Sequence, residues 1–187
     1  MFRDGLSFRG EIKLEFFDKN GKLLTVIEDK NFVVDLGHEL AIDILTGTVS
    51  SKIFRMAVGD SGVLTGQPFV PKVPDATWPA LTGLFHELIR RNIDTTSQPT
   101  TKTMRFLATF QSADIDLTSY SSSPPFINEA CLVVSSGSET GQQQINKTAP
   151  DSLDPSENMF SIRTFKSQPF DPADTLTLNI TWTIFVQ

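Results

Sequence analysis

At 187 residues the chain is long enough to bury one sizeable core, and no flexible linker splits it into halves with separate apolar patterns; a single domain over residues 11–187 is expected behind an N-terminal arm of residues 1–10. The net charge of −6, with basic residues scattered and Arg90 and Arg91 as their densest cluster, lacks the electrostatic footprint of phosphate-backbone binding and argues against a nucleic-acid partner. A single cysteine and two histidines leave no internal disulfide and no paired-ligand spacing for zinc or iron, and no run of eighteen apolar residues or signal-length apolar stretch points to a membrane or a secretory route.

The chain opens on an arm punctuated by Gly5 and Gly10, whose Phe2, Arg3, Leu6 and Phe8 are candidate contact residues. Ile12, Leu14 and Phe16 then alternate with Glu11, Lys13 and Glu15, and Asp18-Lys-Asn-Gly21 supplies turn chemistry before Leu23 to Ile27. A hairpin is predicted, because Asn20-Gly21 accepts the positive φ angles of a tight turn at little cost. Leu36, Leu40, Ala41, Ile44 and Leu45 recur at helical spacing between Asp35, a possible N-cap, and Gly47, a possible stop, which predicts a short helix over 36–45.

Further strands are predicted at Ile53–Val58, Met104–Phe110, Ile127–Val134 and Phe160–Phe165. The clearest strand closes the chain. Leu176, Leu178, Ile180, Trp182, Ile184 and Val186 fall on one side of a period of two, and Thr175, Thr177, Asn179, Thr181 and Thr183 on the other. That pattern marks a strand of roughly 40 Å with one face in a core, as in an antiparallel sheet. Burying its apolar face contributes on the order of 10 kcal/mol, an upper bound because the unfolded chain is already partly collapsed. Several strands and one helix predict an all-β, antiparallel β-sandwich, jelly-roll-like, with long loops.

Two connections exceed ordinary loop length: Gly59–Thr82, with Pro68, Pro71, Pro74 and Pro79, and the polar stretch Ser135–Asn158. Such segments are ordered by a partner or remain surface disorder. Phe69 and Val70 are the candidate contact residues of the first.

Several residue groups carry possible chemistry. Gly59-Asp-Ser-Gly62 matches the tetrapeptide around a serine-protease nucleophile, but that fold places its histidine and aspartate well upstream in a longer chain, so a turn leaving the preceding strand is expected. Asp114 and Asp116, or Asp151, Asp154 and Glu157, could offer oxygen ligands to a cation, although neither spacing is that of a calcium loop, and no cofactor is expected. Glu87 could pair with Arg91 on a helix or with Arg90 across a turn, and Glu129 lies in an apolar segment where a carboxylate must find donors; all four are expected to be structural polar residues. Were Glu87 and Glu129 to converge across a cleft, a carbohydrate-binding or hydrolytic module would be the alternative. Cys131, inside Ala130–Val134, reads as an inert core thiol. The aromatics are mostly Phe, with little of the Trp and Tyr that sugar-binding platforms display.

The order of several segments resembles that of small tailed-bacteriophage virion proteins, a group of head decoration, tail and fibre components. Lys30-Asn-Phe-Val-Val-Asp-Leu-Gly37 leads into a short helix, followed by Phe54-Arg-Met-Ala-Val-Gly59, Leu84-Phe-His-Glu-Leu-Ile-Arg90, Phe106-Leu-Ala-Thr-Phe110 and Ile127-Asn-Glu-Ala-Cys-Leu132. Met159-Phe-Ser-Ile-Arg163, Phe165 and Asp174-Thr-Leu-Thr-Leu-Asn-Ile-Thr-Trp-Thr-Ile184 complete the set. In the group the segment before the Glu and Arg is short and small-residue rich, whereas Gln67–Ala80 is here a longer Pro-rich insertion. The resemblance implies a non-enzymatic virion subunit assembled in the host cytoplasm, either capsid decoration or cement, or a neck, baseplate or tail-fibre attachment protein. Its implied partners are the major capsid protein or other virion proteins, and by analogy it forms a homotrimer.

Overall fold

The computed structural model describes residues 8–46, 52–114, 126–135, 143–144, 158–170 and 177–186. In chain order the elements are β1 (Phe8–Phe17), β2 (Leu23–Val33), α1 (Asp35–Thr46), β3 (Lys52–Gly59), β4 (Val63–Leu64), β5 (Gln67–Pro71), β6 (Glu87–Asn92), β7 (Thr95–Thr100), β8 (Thr103–Gln111), β9 (Phe126–Ser135), β10 (Gln143–Gln144), β11 (Asn158–Pro169) and β12 (Thr177–Val186). All pairings are antiparallel, and the all-β sandwich is as expected.

The first hairpin forms where its turn chemistry sits. Asp18 Oδ1 accepts from the amides of Asn20 at 2.8 Å and Lys22 at 2.9 Å, while Gly21 takes a φ of 76°. On the other side of β1 lies β12, in register from Phe8 opposite Val186 to Phe17 opposite Thr177. The sheet therefore claims Phe8, Arg9 and Gly10 from the expected arm, whose residues 1–7 lie outside the described residues. Phe8, expected among the arm's contact residues, instead packs against the rings of His38 and Phe160. Phe2, Arg3 and Leu6 lie outside the described residues.

One half of the sandwich runs β2-β1-β12-β8-β7 and the other β10-β6-β3-β9-β11. Two strands carry the chain from half to half. The end of β2 leaves β1 to pair Phe32 and Val33 with Ile162 and Ser161 of β11. At the opposite corner β6 runs into β7, switching from β3 (Ile93 N to Phe54 O, 3.0 Å) to β8 (Asp94 N to Leu107 O, 2.8 Å). The pairings β1 with β12, β2 with β11, β3 with β9 and β7 with β8 are nested from the ends of the chain inward, the pattern of a wrapped hairpin and hence jelly-roll-like.

The core between the halves holds Ile12, Leu14, Phe16, Phe106, Phe110, Leu178, Ile180, Trp182 and Ile184, all buried. Leu176, expected with them, lies outside the described residues. A second apolar cluster covers the other face of β3, β9 and β11, with Val34, Ala57, Cys131, Val133, Met159 and Ile162 around Trp78. Two covered faces explain why Ala130–Val134 reads as a continuous apolar run rather than an alternating one.

Trp78 overturns the picture of Gly59–Thr82 as an arm awaiting a partner. Residues Trp78–Ala80 form a 3₁₀ turn that seats the buried indole edge-on to Phe32 and Phe85, at 5.8 and 5.9 Å. One large aromatic gives the Pro-rich segment the apolar surface needed to offset its ordering. Most of the polar connection 136–157 lies outside the described residues. Helix α1 runs Asp35–Thr46, burying Leu40 and Ala41, and Gly37 sits so close to the Phe160 carbonyl that a Cβ would clash.

Candidate functional site

Polar side chains converge where β3, β6 and β9 end together. In the sheet Gly59 of β3 stands opposite Glu87 of β6 on one side and Glu129 of β9 on the other. A Cβ on Gly59 would collide with the His86 carbonyl and with Glu129, so the glycine is what lets the Glu129 side chain cross β3. The carboxylate there accepts three backbone amides: Ser61 N at 3.1 Å and His86 N at 2.8 Å on Oε1, and Phe85 N at 2.9 Å on Oε2. It ties the turn after β3 to the start of β6. Burial pushes its pKa up to about 7, outweighing the amides, which favour the charged form, while the nearby Asp60 raises it further.

Asn128, the neighbour of Glu129 on the opposite face, secures the same turn. Its Oδ1 accepts from Gly62 N at 2.6 Å, and its Nδ2 donates to the Asp60 carbonyl at 2.8 Å and to Ser167 Oγ at 3.1 Å. Gly59-Asp-Ser-Gly62 is thus the expected turn. Its side chains do not form a nucleophile and base: Ser61 Oγ meets Asp60 Oδ1 at 3.3 Å, and the same oxygen is 2.6 Å from His86 Nδ1. A catalytic triad places the serine hydroxyl on the histidine, with the carboxylate behind it.

Glu87 and Arg90 make a two-pronged buried pair, Nε to Oε1 at 2.5 Å and Nη2 to Oε2 at 3.0 Å. Three residues apart on a regular strand would face opposite ways. Here the register passes from Ile89 opposite Val58 to Glu87 opposite Gly59, leaving Leu88 as an extra residue, and this bulge brings Glu87 to the side of Arg90. The segment is a strand, so the helical pairing of Glu87 with Arg91 does not occur. Arg91 instead donates to the Thr109 carbonyl and pairs with Asp94 at 2.9 Å, fastening β6 to β8. Glu87 and Glu129 do come to one region, but Glu129 is enclosed and Glu87 engages Arg90, an arrangement suited to joining strands rather than to acid and base flanking a water.

Among the described residues no three His, Cys, Asp or Glu side chains gather as metal ligands; Asp116, Asp151, Asp154 and Glu157 lie outside them. Burial pushes the Cys131 thiol up, well away from thiolate reactivity. Among the described residues no helix is long and apolar enough to cross a membrane.

Beside the clustered turn, the hairpin of β4 and β5 bends at Gly66, with a φ of 74°. It lies on β11, where Thr164 Oγ1 donates to the Lys72 carbonyl at 2.5 Å and Lys166 stands 5.0 Å over the Phe69 ring. Phe69 is 62% exposed, Val70 42% and Val73 71%. A shallow cleft of about 510 Å³ runs between this hairpin and Asp60 and Ser61. The outer face of the other half forms a wider groove of about 880 Å³, whose charges alternate through Glu11, Lys13, Glu15, Glu28, Lys30 and Arg105.

No family model, curated protein or solved structure matches this chain.

The sequence pointed to Glu87, Arg90, Arg91 and Glu129 as structural, and the geometry brings Glu87, Arg90 and Glu129 to one corner while sending Arg91 to another. Asn128 and the Asp60–His86 contact went unrecognised. Two adjacent polar residues inside the apolar run Ile127–Val134 were the signal for Asn128, whereas the Asp60–His86 pair spans 26 residues and left none.

Proposed function

We propose that this protein is a non-enzymatic structural subunit of a tailed-phage particle, most simply a capsid decoration or cement subunit that ties neighbouring capsomers together. The observation that carries the structural reading is the use made of its buried charges. Glu129 is spent on three amides and Glu87 on Arg90, so the groups best suited to proton transfer brace the corner of the sandwich. Meanwhile Phe69 and Val70 on the β4–β5 hairpin, and Val73 just after it, are exposed apolar side chains of the kind that fill a pocket on a neighbour. The particle itself is inferred from the resemblance in segment order, and the acidic balance suits an outward position away from packaged DNA.

The test is to locate the subunit on purified particles by electron microscopy and count it. Hundreds of copies on the shell are expected; a handful at the neck or baseplate would move it to the tail, and absence from the particle would end the proposal. Phe69→Asp, at an exposed position, should leave the fold intact and lower occupancy on the shell.

A further inference from the structure

Phe69 carries a cation beside it. The Lys166 ammonium, on the β11 strand that supports the hairpin, stands 5.0 Å from the centre of the Phe69 ring, and both residues are exposed. Any pocket that receives the ring therefore also receives the ammonium at its edge. There the charge loses part of its water, which is costly unless a counter-charge takes the place of the water.

The surroundings of Phe69 supply none. Arg163 and Lys166 are the only charged residues of β11, and Lys72 is the only one in residues 61–74. The carboxylates at the two ends of that stretch are already engaged. Asp60 Oδ1 lies 2.6 Å from His86 Nδ1, and Asp75 Oδ1 accepts from the Thr77 amide at 2.7 Å and the Thr77 hydroxyl at 2.6 Å. Arg163 is paired with Asp29, whereas among the described residues no carboxylate pairs with Lys166 or Lys72. In a chain of net charge −6 the surface around Phe69 thus has a local positive balance. A second copy offers no matching pocket among the described residues: its widest groove mixes Glu11, Glu15 and Glu28 with Lys13, Lys30 and Arg105, and Ile12 is the one apolar side chain lining it.

We infer that the pocket receiving Phe69 belongs to a different protein and joins an apolar floor to an acidic rim, where a carboxylate meets Lys166. The inference rests on the reading of the β4–β5 hairpin as a contact with a neighbouring subunit of the particle, and it adds the chemistry of that neighbour. The full chain is titrated onto purified particles that lack it. Binding by the wild type should weaken as salt is raised from about 0.05 to about 0.5 M. Lys166→Glu, at an exposed position, should stay folded by circular dichroism and raise the half-saturating concentration about tenfold. Lys166→Arg keeps the cation and should bind as the wild type does. A wild type that does not bind particles ends the particle reading and this inference with it. Wild-type binding that is indifferent to salt and matched by Lys166→Glu overturns the inference alone. Cosedimentation of the wild type with phosphatidylcholine–phosphatidylglycerol vesicles, lost in Phe69→Asp, would put an anionic bilayer in place of the pocket and overturn it as well.

Discussion

Single residues decide this fold where backbone or side chain has no alternative. Trp182, buried in the centre of β12, has Phe106 and Ile12 as its cross-strand neighbours. Removing so large a side chain leaves a cavity that rigid sheets on both sides cannot close. Trp182→Ala is therefore expected to cost about 3–5 kcal/mol in urea unfolding, and a midpoint near that of the native protein would remove the indole from the core. Gly59 matters for the opposite reason, since what it lacks is occupied by Glu129. Gly59→Ala should displace Glu129 from its three amides and destabilise more than Gly21→Ala, where the strain of a positive φ is the sole obstacle. Equal losses at the two sites would show that Glu129 does not depend on the gap.

At the scale of elements, the bulge in β6 and the length of β1 make two separable predictions. The Glu87–Arg90 pair is almost wholly buried, so removing one partner strands a charge, whereas removing both does not. Glu87→Gln should lower stability, and Arg90→Met should cost roughly 3–5 kcal/mol, with Glu87→Met/Arg90→Met recovering much of that loss. A double variant as unstable as the sum of its parts would mean the two side chains do not act as a pair. Strand β1 begins at Phe8, so deleting residues 1–7 leaves its pairing with β12 intact and is the reference for a longer deletion. Deleting residues 1–10 removes the partners of Ile184, Phe185 and Val186 and should lower the melting temperature by several degrees. If both deletions behave alike, Phe8–Gly10 add nothing to the sheet.

The whole molecule should respond to pH through Glu129. Its folded-state pKa lies above the ordinary carboxylate value of 4.5, at about 7, so folding favours the protonated side chain. Its contribution is complete below 4.5 and disappears as pH rises through about 7. Between pH 5 and 8 the protein should lose up to roughly 3 kcal/mol from this one group, and Glu129→Gln, which cannot ionise, should flatten the slope. Wild-type stability that is level across this window, or a slope that survives in Glu129→Gln, would contradict the assignment. The amides of Ser61, Phe85 and His86 should exchange faster with solvent wherever this clasp weakens.

By itself the sequence determined the elements whose signal is local. Strand β12 announced itself by a period of two, the first hairpin by Asp18 and Asn20-Gly21, and α1 by apolar residues at helical spacing, because side-chain direction and turn geometry depend on neighbours a few residues away. It also marked Glu87, Arg90 and Glu129 as groups in need of partners, since a carboxylate or guanidinium among apolar residues must find them when buried. Only the tertiary structure decided which partners. The reach of Glu129 across Gly59, the bulge that turns Glu87 toward Arg90, and the docking of Trp78 on Phe32 and Phe85 depend on strands far apart in the chain, whose register no local pattern encodes. Strands β6 and β7 escaped notice for the same reason: one is buried through a bulge and a salt bridge, and the other, Thr95–Thr100, is exposed throughout, so neither shows the alternation that half-burial imprints on a sequence.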